Sequence, residues 1–455
     1  MNILIITQHW YPDSFGGSEH VASEQARRLA ARGHAVTVLT ERVRDVLPVD
    51  EMVHNPSQPS LNLGEGDRSV PPLRLRGGEG ELRIIRYGSE ADFARFGGAS
   101  RTDMREVPRI LRHLDRAQRV ERSHAAQGVR SLDSARDDKP LWDVAILHHP
   151  YSAYGFVKAK LKIPSLYIFH TSTSREAEIE GIRRKLPFAA EPFRPLLNSL
   201  FIAKTAQIER RVLSVMGRIA VLSDFSQLIL HAAFPFTERK TLKLPVGIDR
   251  VQFSPSSDRK SARAHLGLPA DRKMILTVRR FTPRMGLFEL ISAMQTVIKE
   301  YADAQLYIVG EGPLKNELQH AIQDKGLQSK VTIVGAVPVD DLPLYYQAAN
   351  LFVLPTAAFE GLGMATLEAL ASGLPVVGTP AGATLEVLCA LDPTLITNGI
   401  TAADIAHGII QFFARPENER TILGTRAREV AEQMYDWDRA VGELEGVLQN
   451  LIGRI

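Results

Sequence analysis

A single cysteine, Cys389, is all that the chain contains. That excludes an internal disulfide framework and fits a reducing compartment. Nowhere do about 18 apolar residues run together, the length that a membrane-crossing helix requires. The opening stretch from Met1 to Thr7 has no basic segment ahead of its short apolar run, so it reads as a buried strand and not as a signal peptide. The expected location is therefore cytoplasmic, with room for peripheral contact on the inner face of the membrane. No His-Glu-x-x-His or Cys-x-x-Cys string occurs. The acid pairs Asp137-Asp138 and Asp340-Asp341 precede no ligand cluster and read as loop or helix-start acids, so no metal site is expected. The Gly-x-Gly-x-x-Gly fingerprint is missing after the first strand, which argues against a dehydrogenase, and no bound cofactor is expected.

The chain has 455 residues, too many for one ordinary core; two α/β domains of roughly 200 residues each are the natural expectation. Hydrophobic residues make up 44% and charged ones 24%, a globular balance without long low-complexity tracts. A formal net charge of +3 calls for no nucleic-acid partner, but suits anionic substrates or a weak attraction to anionic lipid.

Hydrophobic patterning restarts twice along the chain. Ile3 to Ile6 form a strand, Gln8 to Gly17 a loop, and Ser18 to Arg32 a helix that Gly33 stops before the strand Val36 to Leu39. Residues 54–80 are rich in Gly, Pro, Ser and Asn and read as a mobile insert. Arg101 to about Val129 is Arg-rich with helical spacing. It reads as a solvated amphipathic helix, or as a patch that meets membrane or an anionic acceptor. Val144 to Leu147, Ser165 to Phe169 and Arg218 to Leu222 are further strands, the last followed by a helix start at Ser223. Pro245, Gly247 and Pro255 break the stretch after Lys243, so 1–243 reads as an N-terminal domain and 244–256 as a linker. Strands then recur at Met274 to Val278, Gln305 to Val309, Val331 to Val334, Leu351 to Leu354 and Pro375 to Val377, most separated by helices. That makes 257–432 a second domain on a parallel sheet, with a helix from near Trp437 (433–455) closing the structure against the first. Two such domains place ligands in the cleft at the carboxyl ends of their strands.

The densest chemical signal is Pro355 to Val377, PTAAFEGLGMATLEALASGLPVV. Glu360 lies at the entrance of a helix that Gly373 ends, and Glu368 about two turns in. Between them Gly361, Gly363 and Met364 present backbone amides suited to sugar or diphosphate oxygens. Either glutamate alone would be an ordinary helix-start or solvent-facing acid; the string as a whole is more specific. It resembles the retaining GT-B glycosyltransferases of family 4, whose pattern is a Glu, seven residues and a second Glu in a run of this kind. The fold implied is α/β, GT-B: two Rossmann-like doubly wound domains facing an interdomain cleft. The resemblance places Glu360 near the transferred sugar, Glu368 on the donor ribose, and the backbone of Gly361, Leu362, Gly363, Met364 and Ala365 on sugar and phosphates.

Other segments carry the resemblance across most of the chain. Gly16-Gly17-Ser18-Glu19 is similar to the family's N-terminal glycine loop, where the absence of side chains lets backbone approach a diphosphate. His170 resembles the family's sugar-facing histidine. Pro245-Val246-Gly247-Ile248-Asp249 resembles its linker motif, with Val246 where Asn is common. Gly310 in Gly310-Glu311-Gly312-Pro313 resembles a donor-side turn, and Ala336 and Val337 stand where the family places base contacts. The implied catalytic set is His170, Arg280 and Glu360, with Arg284 flanking the donor diphosphate.

One part of the pattern departs. In Thr277-Val-Arg-Arg-Phe-Thr-Pro-Arg-Met-Gly286, Arg280 fills the family's Arg position, but Met285 stands where Lys is usual and Arg279 where Gly is usual. A thioether cannot neutralise phosphate, whereas guanidinium groups bind it bidentately. The function implied is transfer of a sugar from a nucleotide-sugar donor, UDP- or GDP-linked, to an acceptor hydroxyl with retention of configuration and without a metal. The acceptor could be a sugar, a lipid-linked molecule or another small molecule. Two rivals share these residues: a non-catalytic nucleotide-sugar-binding homologue, and a GT-B-type epimerase or hydrolase.

Overall fold

The computed structural model describes residues 1–9, 16–41, 50–53, 80–87, 107–112, 114, 140–180, 193–256 and 258–453. The insert expected at 54–80, apart from Gly80, lies outside them, as do Asp137-Asp138 and all of the Arg-rich stretch except the helical turns within 107–114.

The N-terminal sheet is built from β1 (Asn2–Ile6), β2 (Ala35–Glu41), β3 (Asp50–Val53), β4 (Leu82–Tyr87), β5 (Val144–Leu147), β6 (Ser165–Phe169), β7 (Arg218–Val221) and β8 (Thr241–Lys243). Their order is β3-β4-β2-β1-β5-β6-β7-β8, parallel throughout except for β3, which pairs antiparallel at the edge. β1, β5 and β6 are apolar on both faces because helices cover both. The helices that shape the cleft are α1 (Gly17–Ala31), α2 (Pro150–Ala159), α3 (Thr173–Glu180), α4 (Arg194–Val215) and α5 (Asp224–Ala233). Gly33, at φ 88°, ends the first helical segment where the sequence places its stop.

The second sheet has the order β11-β10-β9-β12-β13, all parallel: β9 (Lys273–Val278), β10 (Ala304–Val309), β11 (Val331–Gly335), β12 (Leu351–Leu354) and β13 (Val376–Gly378). Around it run α6 (Arg259–His265), α7 (Leu287–Glu300), α8 (Lys315–Asp324), α9 (Leu342–Ala348), α10 (Met364–Ala371), α11 (Thr384–Leu391), α12 (Ala402–Ala414) and α13 (Glu417–Met434). The last helix, α14 (Trp437–Ile452), turns back to the first domain. There Glu445 meets Arg32 and His34, both at 2.6 Å. The crossing segment is fixed as it leaves the first sheet: Ile248 N–H donates to the Tyr435 carbonyl at 3.1 Å, and Gly247 lies so close to Trp437 that an added Cβ would meet its backbone nitrogen at 2.4 Å.

In a doubly wound sheet the ligand crevice forms where successive strands leave the first strand in opposite directions. That point lies between β1 and β5 in one sheet and between β9 and β12 in the other. The chain emerges there as Thr7 to His9, His148-His149, Arg279-Arg280 and Pro355 to Glu360, so chemistry-bearing side chains are collected by topology.

Candidate active site in the interdomain cleft

The two walls touch directly. Ser223 Oγ, at the start of α5, donates to the Gly361 carbonyl at 2.5 Å, and Ser226 Oγ to the same oxygen at 3.3 Å. Gly361 packs against the His170 backbone so closely that an added Cβ would lie 2.6 Å from the His170 carbonyl oxygen. A Cβ added to Gly17 would make an ordinary contact with the Met364 side chain, at 3.4 Å. Glu386 of α11 reaches across to the first turn of α5 and accepts from the Phe225 and Asp224 amides at 2.7 and 2.9 Å, a carboxylate at the positive end of a helix. Glycine is required at 361 by this proximity and not by backbone angle.

The string around Glu360 is not helical from its start. Phe359 has φ 55° and Gly363 has φ 81°, both left-handed, and α10 begins only at Met364. The expected two helical turns between Glu360 and Glu368 therefore reduce to one, because the positive-φ residues hold 359–363 as a loop. That loop keeps the amides of Gly361 and Leu362 out of helical hydrogen bonding. Gly382 supports it from below, too close to the Glu360 backbone to carry a side chain.

Glu360 is only 8% exposed and is anchored by Arg279, whose Nη2 donates to its Oε2 at 2.5 Å. Thr356 Oγ1 donates to the same oxygen at 2.9 Å. Burial pushes the carboxyl pKa up, but the Arg279 and Arg284 charges outweigh it and hold Glu360 below its ordinary value. Glu368 lies one turn into α10, with its Oε2 accepting from Tyr346 at 2.6 Å. There burial prevails and raises the pKa, against the opposing influence of His20 and the tyrosine hydroxyl. His20 belongs to α1, so Glu368 also faces the N-terminal wall.

The three arginines on one turn divide their work. Arg279 pairs with Glu360. Arg284 crosses the cleft: its Nη2 lies 2.8 Å from Glu176, its Nε donates to Glu180 at 2.9 Å and its Nη1 to the Phe359 carbonyl at 2.8 Å. Its guanidinium therefore clasps the domains together, and the direct phosphate contact expected of it finds no free nitrogen. Arg280 is exposed and has no hydrogen-bond or ion-pair partner among the described residues; its charge acts on His9 and Glu176 of the opposite wall. Met285, where a lysine is usual, is buried in the hydrophobic core.

On the N-terminal wall His170 ends β6, and its Nε2 lies 3.1 Å from His148 Nδ1. Burial drives the His170 pKa down to about 4, with Glu19 opposing, and burial with the neighbouring His9 and His170 drives His149 to about 3. These imidazoles are neutral near pH 7 and interact with hydroxyls as hydrogen-bonding groups, not as cations. In the sequence the His148-His149 pair at the end of β5 and Glu19 beside the glycine loop carry no signal beyond that of strand-end and helix-start residues. Thr356, Glu176 and Glu180 had no local signal. Gly310 lies at the end of β10 against the Arg279 carbonyl, and Ala336 and Val337 follow the edge strand β11, with Ala336 exposed. These three border the crevice on the far side of β10 from Glu360.

Residues 258–430 match the family described as Glycosyl transferases group 1. The matched segment holds the second sheet and most of the helices around it. A GDP-mannose-dependent α-(1-6)-phosphatidylinositol monomannoside mannosyltransferase of Mycobacterium tuberculosis is 28% identical over 216 residues, covering 45% of this chain and 55% of that protein. The chain thus spans about half the length of the curated relatives it matches. Among solved structures, sucrose-phosphate synthase from Thermosynechococcus elongatus superposes with a TM-score of 0.71 at 20% identity, over 100% of both chains. HepE of Anabaena, solved with UDP and glucose, gives 0.65 at 17% identity over 99% of both. The fold is GT-B, with two Rossmann-like domains, and the matched segment contributes Arg279, Arg280, Glu360 and Glu368 to its cleft.

Proposed function

We propose that the protein transfers a sugar from a nucleotide-sugar donor to an acceptor hydroxyl with retention of configuration. The observation that carries this reading is the convergence of Arg280, ionised Glu360 and the Gly361 to Met364 amides, opposite Gly17 and His170, at the carboxyl ends of both sheets. The donor sits on the group 1 domain, with Glu368 on the ribose, Gly310, Ala336 and Val337 towards the base, and the diphosphate between Arg280 and the loop amides. Gly16-Gly17 closes over it without side chains. As the glycosidic bond breaks, negative charge develops on the leaving diphosphate, where Arg280 and the amides stabilise it. Glu360 faces the oxocarbenium-like sugar as an anion, and neutral His170 orients a sugar hydroxyl. The acceptor attacks from the face that the nucleotide leaves, its proton passing to the departing phosphate, so no metal or protein base is required. Closure of the two walls excludes water and aligns the partners.

The donor is a UDP- or GDP-hexose, in keeping with the UDP held by HepE and the GDP-mannose used by the mycobacterial relative. The same relative is named for phosphatidylinositol monomannoside, which supports a lipid-linked acceptor. Incubation with α-linked UDP- and GDP-hexoses plus a bacterial lipid extract, followed by NMR of the product, should show an α-linked glycoside. A β-linked product would exclude retention. Nucleotide release that is as fast without acceptor as with it would replace transfer by hydrolysis or epimerisation.

A further inference from the structure

The cation opposite Glu360 is Arg279, at a position where a glycine is usual. Its side chain is buried, with Nη2 turned to Thr356 and Glu360. Nε is buried without a partner, and no other hydrogen bond leaves the guanidinium among the described residues. A buried donor left unpaired is costly, and here it lies beside the loop whose amides face the donor. The backbone that carries it is fixed: an added Cβ on Gly310 would fall 1.9 Å from the Arg279 carbonyl oxygen, so the β10 turn accepts only glycine against it.

Arg284 is fully engaged by Glu176, Glu180 and the Phe359 carbonyl. Met285 brings no charge and lies in the core. Its turn is nevertheless tied to the same loop, since the Ala357 amide donates to the Arg284 carbonyl at 2.8 Å and Gly286 presses on the Pro355 carbonyl. The Arg279 side chain and the backbone of 284–286 therefore both lie against the segment 355–360. With 285 apolar, a diphosphate would meet Arg280 alone unless Arg279 also serves.

We propose that Arg279 is a second diphosphate-binding cation, holding Glu360 through Nη2 and offering its remaining nitrogens to the phosphate oxygens of the donor. This deepens the nucleotide-sugar reading and rests on it. One residue then links the anion that faces the sugar to the leaving group, so that donor arrival completes the hydrogen bonding of a guanidinium that is incomplete without it.

The test compares the affinity of the folded protein for UDP and GDP with that for UMP and GMP, by titration calorimetry, in the wild type, R279Q and R279K. Wild type should favour the diphosphates. R279Q should lose about 10- to 100-fold of that preference, the range of hydrogen bonds to charged groups, whereas R279K, which keeps the charge, should retain it within a few-fold. A merely structural arginine would lower the melting temperature in both variants and leave the ratio unchanged, which overturns the proposal. Should R279Q not fold, the R279Q/E360Q variant, which removes both charges of the buried pair, carries the same comparison against E360Q. Absence of any diphosphate preference in the wild type would instead overturn the nucleotide-sugar reading itself.

Discussion

Arg284 and Glu176 belong to different domains, yet their side chains meet at 2.8 Å across the cleft. The same guanidinium holds the carbonyl of Phe359 at 2.8 Å, one residue before Glu360. Domain closure and the geometry of the loop around Glu360 are thus read by one side chain. Opening the cleft would break the contacts with Glu176 and Glu180, while the hydrogen bond to Phe359 lies within the second domain.

Arg284→Ala should therefore lower donor turnover by about tenfold or more, since breaking a largely buried ion pair leaves its partners uncompensated. Its solution scattering should show a larger radius of gyration than the wild type. Glu176→Gln combined with Glu180→Gln should act in the same direction. A variant as compact and as active as wild type would show that the clasp has no part in closure.

Glu360→Gln tests the other end of the network. It leaves the Arg279 charge without its anion, which corresponds to a stability loss of about 3–5 kcal/mol. Turnover should fall at least about 100-fold, the scale seen when one preorganised electrostatic contact is removed. Differential scanning calorimetry and nucleotide release read the two effects separately. Full activity would remove Glu360 from the chemistry.

The neutral histidines make the protein sensitive to acid. His149 and His170 titrate at about 3 and about 4 in the fold, below the ordinary 6.5. Between about pH 6.5 and 4 the unfolded chain binds protons at these sites and the folded chain does not, so stability present above pH 6.5 is lost as the pH falls. Each such group contributes a slope approaching about 1.4 kcal/mol per pH unit within the window. The melting temperature should drop steeply from pH 6.5 to 5, and His149→Gln should flatten the drop. A flat profile in the wild type would contradict the buried neutral state.

Ser223 caps α5 by accepting from the Ser226 amide, and it also donates across the cleft to Gly361. Ser223→Ala should cost about 0.5–2 kcal/mol from the cap alone and raise the donor KM. Unchanged KM with lowered stability would confine the residue to capping.

Much of the fold was legible because β5, β6 and β12 are short, apolar and bounded by turn residues, and their ends fall where patterning places them. β8 has only three residues and carries too little pattern to stand out. The strands β3 and β4 flank a Gly- and Pro-rich stretch that masks their signal. The site was partly legible for a similar reason. Glu360, Glu368 and Arg280 lie in strings that carry a pattern, whereas the partners of Arg284 lie on a helix of the other domain. No local spacing connects Glu176 to position 284, since only the closed arrangement of two domains brings them together. In the sequence, Arg279 and Arg284 read as possible compensation for Met285, while the structure shows Met285 buried in the core, Arg279 paired with Glu360 and Arg284 held by Glu176 and Glu180.

The most direct test of the account is the binding of UDP and GDP to the wild type and to Arg280→Ala, measured by titration calorimetry. Arg280 is exposed in the cleft and has no partner among the described residues, so its loss should leave the fold intact. The account predicts that the wild type binds at least one of the two diphosphates and that the variant binds it about tenfold or more weakly. Equal affinity in the two proteins, or no binding of either nucleotide to the wild type, would contradict it.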